Sequence, residues 1–166
     1  MPRVCSTLLP AIILVSLTAC TNYDFTVNDQ LVYTPQPLFS DFEVTDTALR
    51  GCLEQTIMDN RVTAAAQLEA LDCSNAGIRD LTGIGAFTGL RYLRLSDNLV
   101  RNLVELRAMD DLQTLYLDNN AVVDPVPLYG LRSLQVLDLS GNSTLQCPDS
   151  SALQGFDVTL PRHCRA

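Results

Sequence analysis

The sequence predicts an α/β protein, a short solenoid whose parallel β-sheet lines a concave face. Two observations support this prediction. Four segments of one pattern begin at Leu68, Leu90, Leu112 and Leu134, a constant spacing of 22 residues. Within each segment, apolar residues at positions 4 and 6 alternate with other residues, as they do in a β-strand. Ahead of these segments, residues 46–59 carry apolar side chains at the spacing of one helix face, which predicts a helical cap.

The N-terminus is a short apolar leader that ends in a cysteine. Arg3 gives a minimal positive region, and the apolar run behind it is shorter than the roughly 20 residues that cross a bilayer. Cys20 follows a Leu-Thr-Ala step that resembles the lipobox of bacterial lipoproteins, whose cysteine is acylated and becomes the new N-terminus. The resemblance implies a signal peptide at residues 1–19 and lipidation of Cys20. An ordinary secretory signal and an uncleaved anchor are the alternatives.

The residues after Cys20 indicate where the protein lies and how the domain is attached. Thr21 stands where an aspartate often retains lipoproteins at the inner membrane, so the resemblance favours the outer membrane of a Gram-negative cell, with a periplasmic or surface-facing domain. N-terminal acyl chains would hold the protein on that membrane. Residues 20–44 contain prolines and no sustained period, which predicts a lipidated N-terminus and tether. A short edge strand at Gln30–Thr34 is the alternative.

The four repeated segments match the consensus L-x-x-L-x-L-x-x-N-x-L, except at Cys73, Ala76 and Thr144. They read LEALDCSNAGI, LRYLRLSDNLV, LQTLYLDNNAV and LQVLDLSGNST. This pattern is identified as that of leucine-rich repeats, and its length of 22 residues is similar to the internalin type. The resemblance covers about residues 45–164 and implies one short strand per repeat, with Asn98, Asn120 and Asn142 bonding to turn backbone. The prolines in the third return segment predict an extended rather than a helical backbone.

A solenoid needs a cap at each end, because its terminal repeats would otherwise expose their core. The predicted division is therefore an N-terminal cap at 45–67, four repeats at 68–145 and a C-terminal cap at 146–166. Thr45 or Asp46 can cap the start of the helix. A degenerate fifth strand in the last cap is indicated by three apolar residues, Leu153, Phe156 and Val158.

Four cysteines remain after the leader and Cys20, an even number for an oxidising compartment. Cys52 lies on the apolar helix face and Cys73 at a core position of the first strand. Both point into one interface, which predicts a Cys52–Cys73 disulfide. Cys147 and Cys164 bracket the last segment, and its resemblance to the cysteine-bounded caps of extracellular repeat proteins implies a second disulfide between them.

The strand positions that do not point inward are expected to face the concave surface. Tyrosine and arginine are the residues that most often anchor protein interfaces. The predicted contact residues form an aromatic centre and an acidic rim: Tyr92, Arg94, Tyr116, Asp97, Asp118 and Asp138. The face is therefore expected to bind an unidentified protein or peptide. In the alternative, these side chains merely solvate the sheet, Asp72 pairs with Arg94 across strands, and the protein is a structural envelope component without a specific ligand.

Composition and charge argue against other functions. The 166-residue chain has a formal net charge of −8 and contains no lysine, so nucleic-acid binding and Schiff-base chemistry are not expected. Asp118 and Asp138 lie on an open sheet without a histidine beside them, so no enzymatic activity is expected. Neither the cysteines with His163 nor the aspartates have metal-ligand spacing, so no metal or cofactor is expected. Capped sheet edges predict a monomer.

Overall fold

The structure, a computed structural model, divides into two units, residues 1–36 and residues 37–166. The described residues are 25–27, 30–33, 37–149, 151, 153–155 and 157–164. The leader and the predicted lipidation site, Cys20, lie outside them.

In the first unit, strand β1 (Phe25–Val27) pairs antiparallel with strand β2 (Gln30–Tyr33). The segment interpreted as a tether therefore contains a two-stranded sheet, and the alternative of a strand at Gln30–Thr34 comes closer to the structure. Strands of three and four residues are too short to show a clear period of two, which explains why the sequence pattern favours a tether.

The helical cap is present in the second unit as helix α1 (Thr47–Asn60). Asp46 is its N-cap, since one carboxylate oxygen accepts hydrogen bonds from the first free backbone N–H groups of the helix. The helix ends at Arg61, whose backbone is left-handed with a φ of 53°. Its buried face carries Leu49, Leu53 and Ile57, as the apolar spacing predicts.

Five parallel strands form the sheet of the second unit in sequence order. They are β3 (Ala70–Asp72), β4 (Tyr92–Arg94), β5 (Thr114–Tyr116), β6 (Val136–Asp138) and β7 (Asp157–Thr159). The constant repeat length places equivalent residues side by side, so Leu71, Leu93 and Leu115 are direct neighbours. The fifth strand lies within the stretch where the apolar residues predict it.

The chain returns between strands through short 3-10 helices that bury apolar residues behind the sheet. Three of them are Ile84–Ala86, Val104–Ala108 and Val126–Gly130. The prediction of an extended third return segment is wrong, because Pro125 stands just before the helix and Pro127 in its first turn, where a missing N–H costs nothing. None of the helices in the described ranges is long and apolar enough to cross a membrane.

The predicted asparagines form a ladder along the turns that follow the strands. The side-chain amide of Asn98 donates to the carbonyls of Cys73 and Leu95 at 2.9 and 3.0 Å, and its oxygen accepts from the N–H groups of Ala76 and Ile78 at 3.1 and 2.9 Å. The asparagine ladder (Asn98, Asn120 and Asn142) repeats these bonds with a period of one repeat. Within the described residues, every buried side-chain nitrogen and oxygen has a partner.

Both caps are fixed by the disulfides that the sequence predicts. Cys52 of helix α1 bonds to Cys73 behind strand β3, and Cys147 bonds to Cys164 across the last segment. Ahead of the helix, Phe42 packs against Phe87 of the first return segment, with ring centroids 5.3 Å apart. These contacts close the ends of the core, as a solenoid requires.

Candidate functional site on the concave face

The strand register decides which side chains meet on the concave face. Leu93 and Leu115 are buried, so the residues on either side of each leucine point outward. Arg94 lies directly beside Tyr116, and Tyr92 lies beside Thr114. Tyr92 and Tyr116 are half-buried and Arg94 is exposed. The repeat period therefore brings together the three residues that the sequence predicts for the centre of the face.

These three residues, Tyr92, Arg94 and Tyr116, form what we call the central cluster. The two tyrosine rings have centroids 5.9 Å apart and are tilted by 57°. The guanidinium carbon of Arg94 lies 5.1 Å from the centroid of the Tyr116 ring. A cation over an aromatic face at this distance is attracted by the ring's quadrupole, so the stack restrains the arginine side chain.

A buried hydroxyl holds Arg94 from the other side. Nε of Arg94 donates to Oγ of Ser96 at 3.2 Å, and that hydroxyl donates to a carboxylate oxygen of Asp118 on the next repeat. Ser96 is 3% exposed. It is not among the residues predicted to contact a partner, and its signal in the sequence is a small hydroxyl residue in register with Asp118. The two hydrogen bonds, from Arg94 to Ser96 and from Ser96 to Asp118, orient the guanidinium without placing the carboxylate in direct contact with it.

The charge state of Arg94 follows from its neighbours. Desolvation lowers the pKa of its guanidinium, but the Tyr92 oxygen and the carboxylates of Asp72 and Asp118 raise it by more. The pKa therefore lies above its ordinary value, and the centre of the face carries a permanent positive charge.

In the alternative in which these side chains merely solvate the sheet, Asp72 is expected to pair with Arg94. This ion pair does not form. Asp72 instead accepts hydrogen bonds at one oxygen from the backbone and hydroxyl of Ser74, at 3.0 and 2.6 Å. Among the described residues, no carboxylate oxygen lies within 4.0 Å of the Arg94 guanidinium. A short acidic side chain commonly bonds to the backbone two residues on, and here that local bond prevails over the ion pair.

The rim aspartates lie where the repeat places them, but each accepts a hydrogen bond from another residue of the protein. Asp97 accepts from the side-chain amide of Asn119 at 3.0 Å, and Asp138 accepts from the backbone of Ser140 at 2.8 Å. Asp97 also has a left-handed backbone with a φ of 57°, which short polar residues adopt most readily. Sequence reasoning missed this structural use of Asp97. Within the described part of the chain, these aspartates do not form a cluster of metal-ligating groups.

One cluster of metal-ligating residue types occurs at the C-terminal cap. The side-chain donor atoms of Cys147, His163 and Cys164 lie within 4.8 Å of one another. Both sulfurs belong to the disulfide, so they offer no thiolate to a metal. Nε2 of His163 lies 3.0 Å from the Leu145 carbonyl oxygen, which gives the ring a structural contact in the cap.

No protein-family model and no curated protein matches the chain. Solved structures of Listeria monocytogenes internalins do resemble it. Internalin C2 is 32% identical with a TM-score of 0.44, over 50% of this chain and 37% of its own. The internalin inlF is 23% identical with a TM-score of 0.56, over 64% and 32%. The functional domain of InlJ, which includes a cysteine ladder, is 32% identical with a TM-score of 0.49, over 57% and 20%.

The likeness to inlF supports the fold alone, a short leucine-rich repeat solenoid with a parallel sheet and two caps. The chain spans between 20% and 37% of the length of these three proteins. Their size and activities therefore do not transfer to this chain, and its function has to be argued from the central cluster and its surroundings.

Proposed function

We propose that this protein is a lipid-anchored envelope protein that binds a protein or peptide through its concave face. The observation that carries the proposal is the central cluster, which presents two half-buried tyrosines and an exposed, immobilised arginine at the middle of the sheet. Interface hot spots are enriched in these residue types and lie near the centre of a contact surface. Five strands at about 4.8 Å spacing span roughly 20 Å, which suits a peptide or the edge of a small domain.

The anchoring part of the proposal rests on the lipobox resemblance at Cys20. Acylation there would attach the domain to the envelope through the residues up to 44. In a Cys20→Ser variant we expect the protein to leave the detergent-rich phase and the membrane fraction, because no acyl chains remain. Metabolic labelling with a palmitate analogue measures the modification directly. A labelled, membrane-bound Cys20→Ser variant would contradict lipidation at this cysteine.

The binding part is tested by crosslinking the native, lipidated protein in intact envelopes. A variant with Tyr92→Ala, Arg94→Ala and Tyr116→Ala removes the central cluster. A matched control with Arg107→Ala and Tyr129→Ala removes exposed residues of the same types from the return segments. Both variants are first shown to melt like the wild type.

We expect a crosslinked partner with the wild type and the control, and its loss with the cluster variant. The same partners with all three proteins would contradict concave-face binding. That result would favour the other candidate function, a structural envelope lipoprotein whose sheet is merely solvated.

A further inference from the structure

We infer that Arg94 binds a carboxylate of the partner and that basic side chains flank this carboxylate in the partner's bound segment. The inference rests on the proposed function and names the chemistry that the concave face recognises. It depends on two observations, the state of the Arg94 side chain and the order of charges along the sheet.

Arg94 is held in place, but no carboxylate among the described residues contacts it directly. Its guanidinium is stacked on Tyr116 and bonded through Nε to Ser96, and no described carboxylate oxygen lies within 4.0 Å of it. The terminal nitrogens of an arginine form a planar fork that matches a carboxylate with two parallel hydrogen bonds. Because the stack and the Nε bond already restrict the side chain, little further rotamer entropy is lost when a carboxylate binds.

The neighbours of Arg94 determine what else that partner must carry. Equivalent positions on four adjacent strands place Asp72, Arg94, Tyr116 and Asp138 in one row across the sheet. Asp72 and Asp138 each accept hydrogen bonds at one carboxylate oxygen, Oδ1, from the turn that follows their own strand. Asp118, behind Ser96, adds a further negative charge. A partner that presents a carboxylate alone would be repelled by these aspartates, whereas flanking lysine or arginine side chains would be attracted.

The spacing of this row fits an extended segment. Asp72 and Asp138 are three strand spacings apart, about 14 Å, and alternate residues of an extended chain share a face at about 6.6 Å. A segment with the order basic-x-acidic-x-basic therefore places one basic group near each outer aspartate and its acidic group near Arg94. The occupant of the row is accordingly an extended peptide segment of this charge order.

The test uses the full chain in detergent and three fluorescent peptides of equal length with capped ends. The first has the order Lys-Ser-Asp-Ser-Lys, the second has asparagine at its centre, and the third has glutamate in place of both lysines. Binding is measured by fluorescence anisotropy at low salt. We expect the first peptide to bind about fivefold more tightly than the second, the gain of one oriented but exposed ion pair. The third should bind most weakly.

A merely acidic surface gives the opposite order for the first two peptides, because the asparagine peptide is the more positive of them. In an Arg94→Gln variant we expect the preference for the aspartate peptide to disappear. Arg101→Gln, which removes the same charge from an exposed residue outside the strands, should keep it. Equal or tighter binding of the asparagine peptide, no binding, or a preference that survives Arg94→Gln overturns the inference. If the crosslinked partner still depends on the central cluster, that failure leaves the proposed function standing.

Discussion

The asparagine ladder and the central cluster both place polar side chains at repeating positions, but they differ in what those side chains contact. Asn98 and Asn142 are buried, and their amides bond to the backbone of their own repeat and of its neighbour. Arg94 is exposed and bonded at Nε, and no carboxylate oxygen of the described residues lies within 4.0 Å of its guanidinium. The ladder satisfies backbone groups inside the protein, whereas the cluster leaves an oriented charge facing solvent. The first region therefore stabilises the fold, and the second is available to a partner.

The largest effect that separates the two regions is expected from Asn142→Ala. The substitution leaves the N–H of Val122 unpaired in a buried turn. It also removes one hydrogen bond each from the carbonyl oxygens of Leu117 and Leu139, which keep the Asn120 amide and the Asn142 N–H as donors. The unsatisfied N–H costs about 1–3 kcal/mol and each of the two other lost bonds about 1 kcal/mol, so we expect the free energy of unfolding to fall by about 4 kcal/mol. Urea denaturation measures this change.

The matched control for that substitution is Asn102→Ala, which removes an exposed asparagine with one bond to the N–H of Val104. It should cost about 1 kcal/mol or less. Equal losses from Asn142→Ala and Asn102→Ala would refute the structural assignment of the ladder.

The next effect concerns the fit between the N-terminal cap and the first repeat. A Cβ atom on Gly89 would lie 2.1 Å from the carbonyl oxygen of Ala66, so one backbone must move. We expect Gly89→Ala to lower the free energy of unfolding by about 3 kcal/mol. On Gly85, the same Cβ would lie at an ordinary 3.6 Å from the Glu105 carbonyl oxygen. A thermal melt of Gly89→Ala that matches Gly85→Ala would show that this close approach is absent.

A smaller effect, with a pH dependence, is expected at Asp46. Its second carboxylate oxygen accepts from the N–H groups of Arg79 and Asp80 at 2.9 and 3.2 Å, so one side chain joins the helix to the first repeat. Burial raises the pKa of Asp46, but these backbone N–H groups and those of the helix lower it by more, to below its ordinary 3.8. The charged carboxylate therefore contributes stability above pH 4, and this contribution is lost as the pH falls through the lowered pKa.

Asp46→Asn should destabilise the protein by about 1 kcal/mol at pH 7. The difference from wild type should shrink when urea denaturation is repeated at pH 3. Asp41→Asn removes the same charge from an exposed residue and controls for net charge. A difference that grows toward low pH would contradict the sign of the pKa shift.

The smallest change in stability is expected in the central cluster itself. Arg94→Gln removes an exposed charge and leaves the buried leucines on either side of Arg94 in the chain, Leu93 and Leu95, unchanged. Its effect on the free energy of unfolding should stay within about 0.5 kcal/mol. A loss as large as that of Asn142→Ala would mean that Arg94 stabilises the fold and that the contrast between the two regions is wrong.

Much of the fold is predictable from the sequence because the repeat imposes it. The spacing of 22 residues sets strand register, and register decides which residues of β4 and β5 are neighbours. The disulfide of Cys52 follows from its helix face, since Cys73 occupies a core position in the same interface. Such features depend on periodicity, which survives substitution at the other positions.

The remaining features depend on local competition between contacts, which no period reveals. Asp72 has two neighbours within reach, and its bonds to Ser74 prevail over a pair with Arg94. Ser96 has no special place in the consensus, yet it orients the guanidinium. The short β1–β2 sheet likewise depends on pairing between two segments that are each too short to show a pattern.

The central claim, that the concave face contacts a partner, is tested most directly by site-specific photo-crosslinking in intact cells. A photoreactive amino acid is placed at Thr114, which lies beside Tyr92 on the sheet, and separately at the exposed Val126 of a return segment. We predict a covalent adduct with one partner from position 114, its loss when Arg94→Gln is added, and no such adduct from position 126. An adduct from position 126 alone, or the same adducts from both positions, would contradict the account.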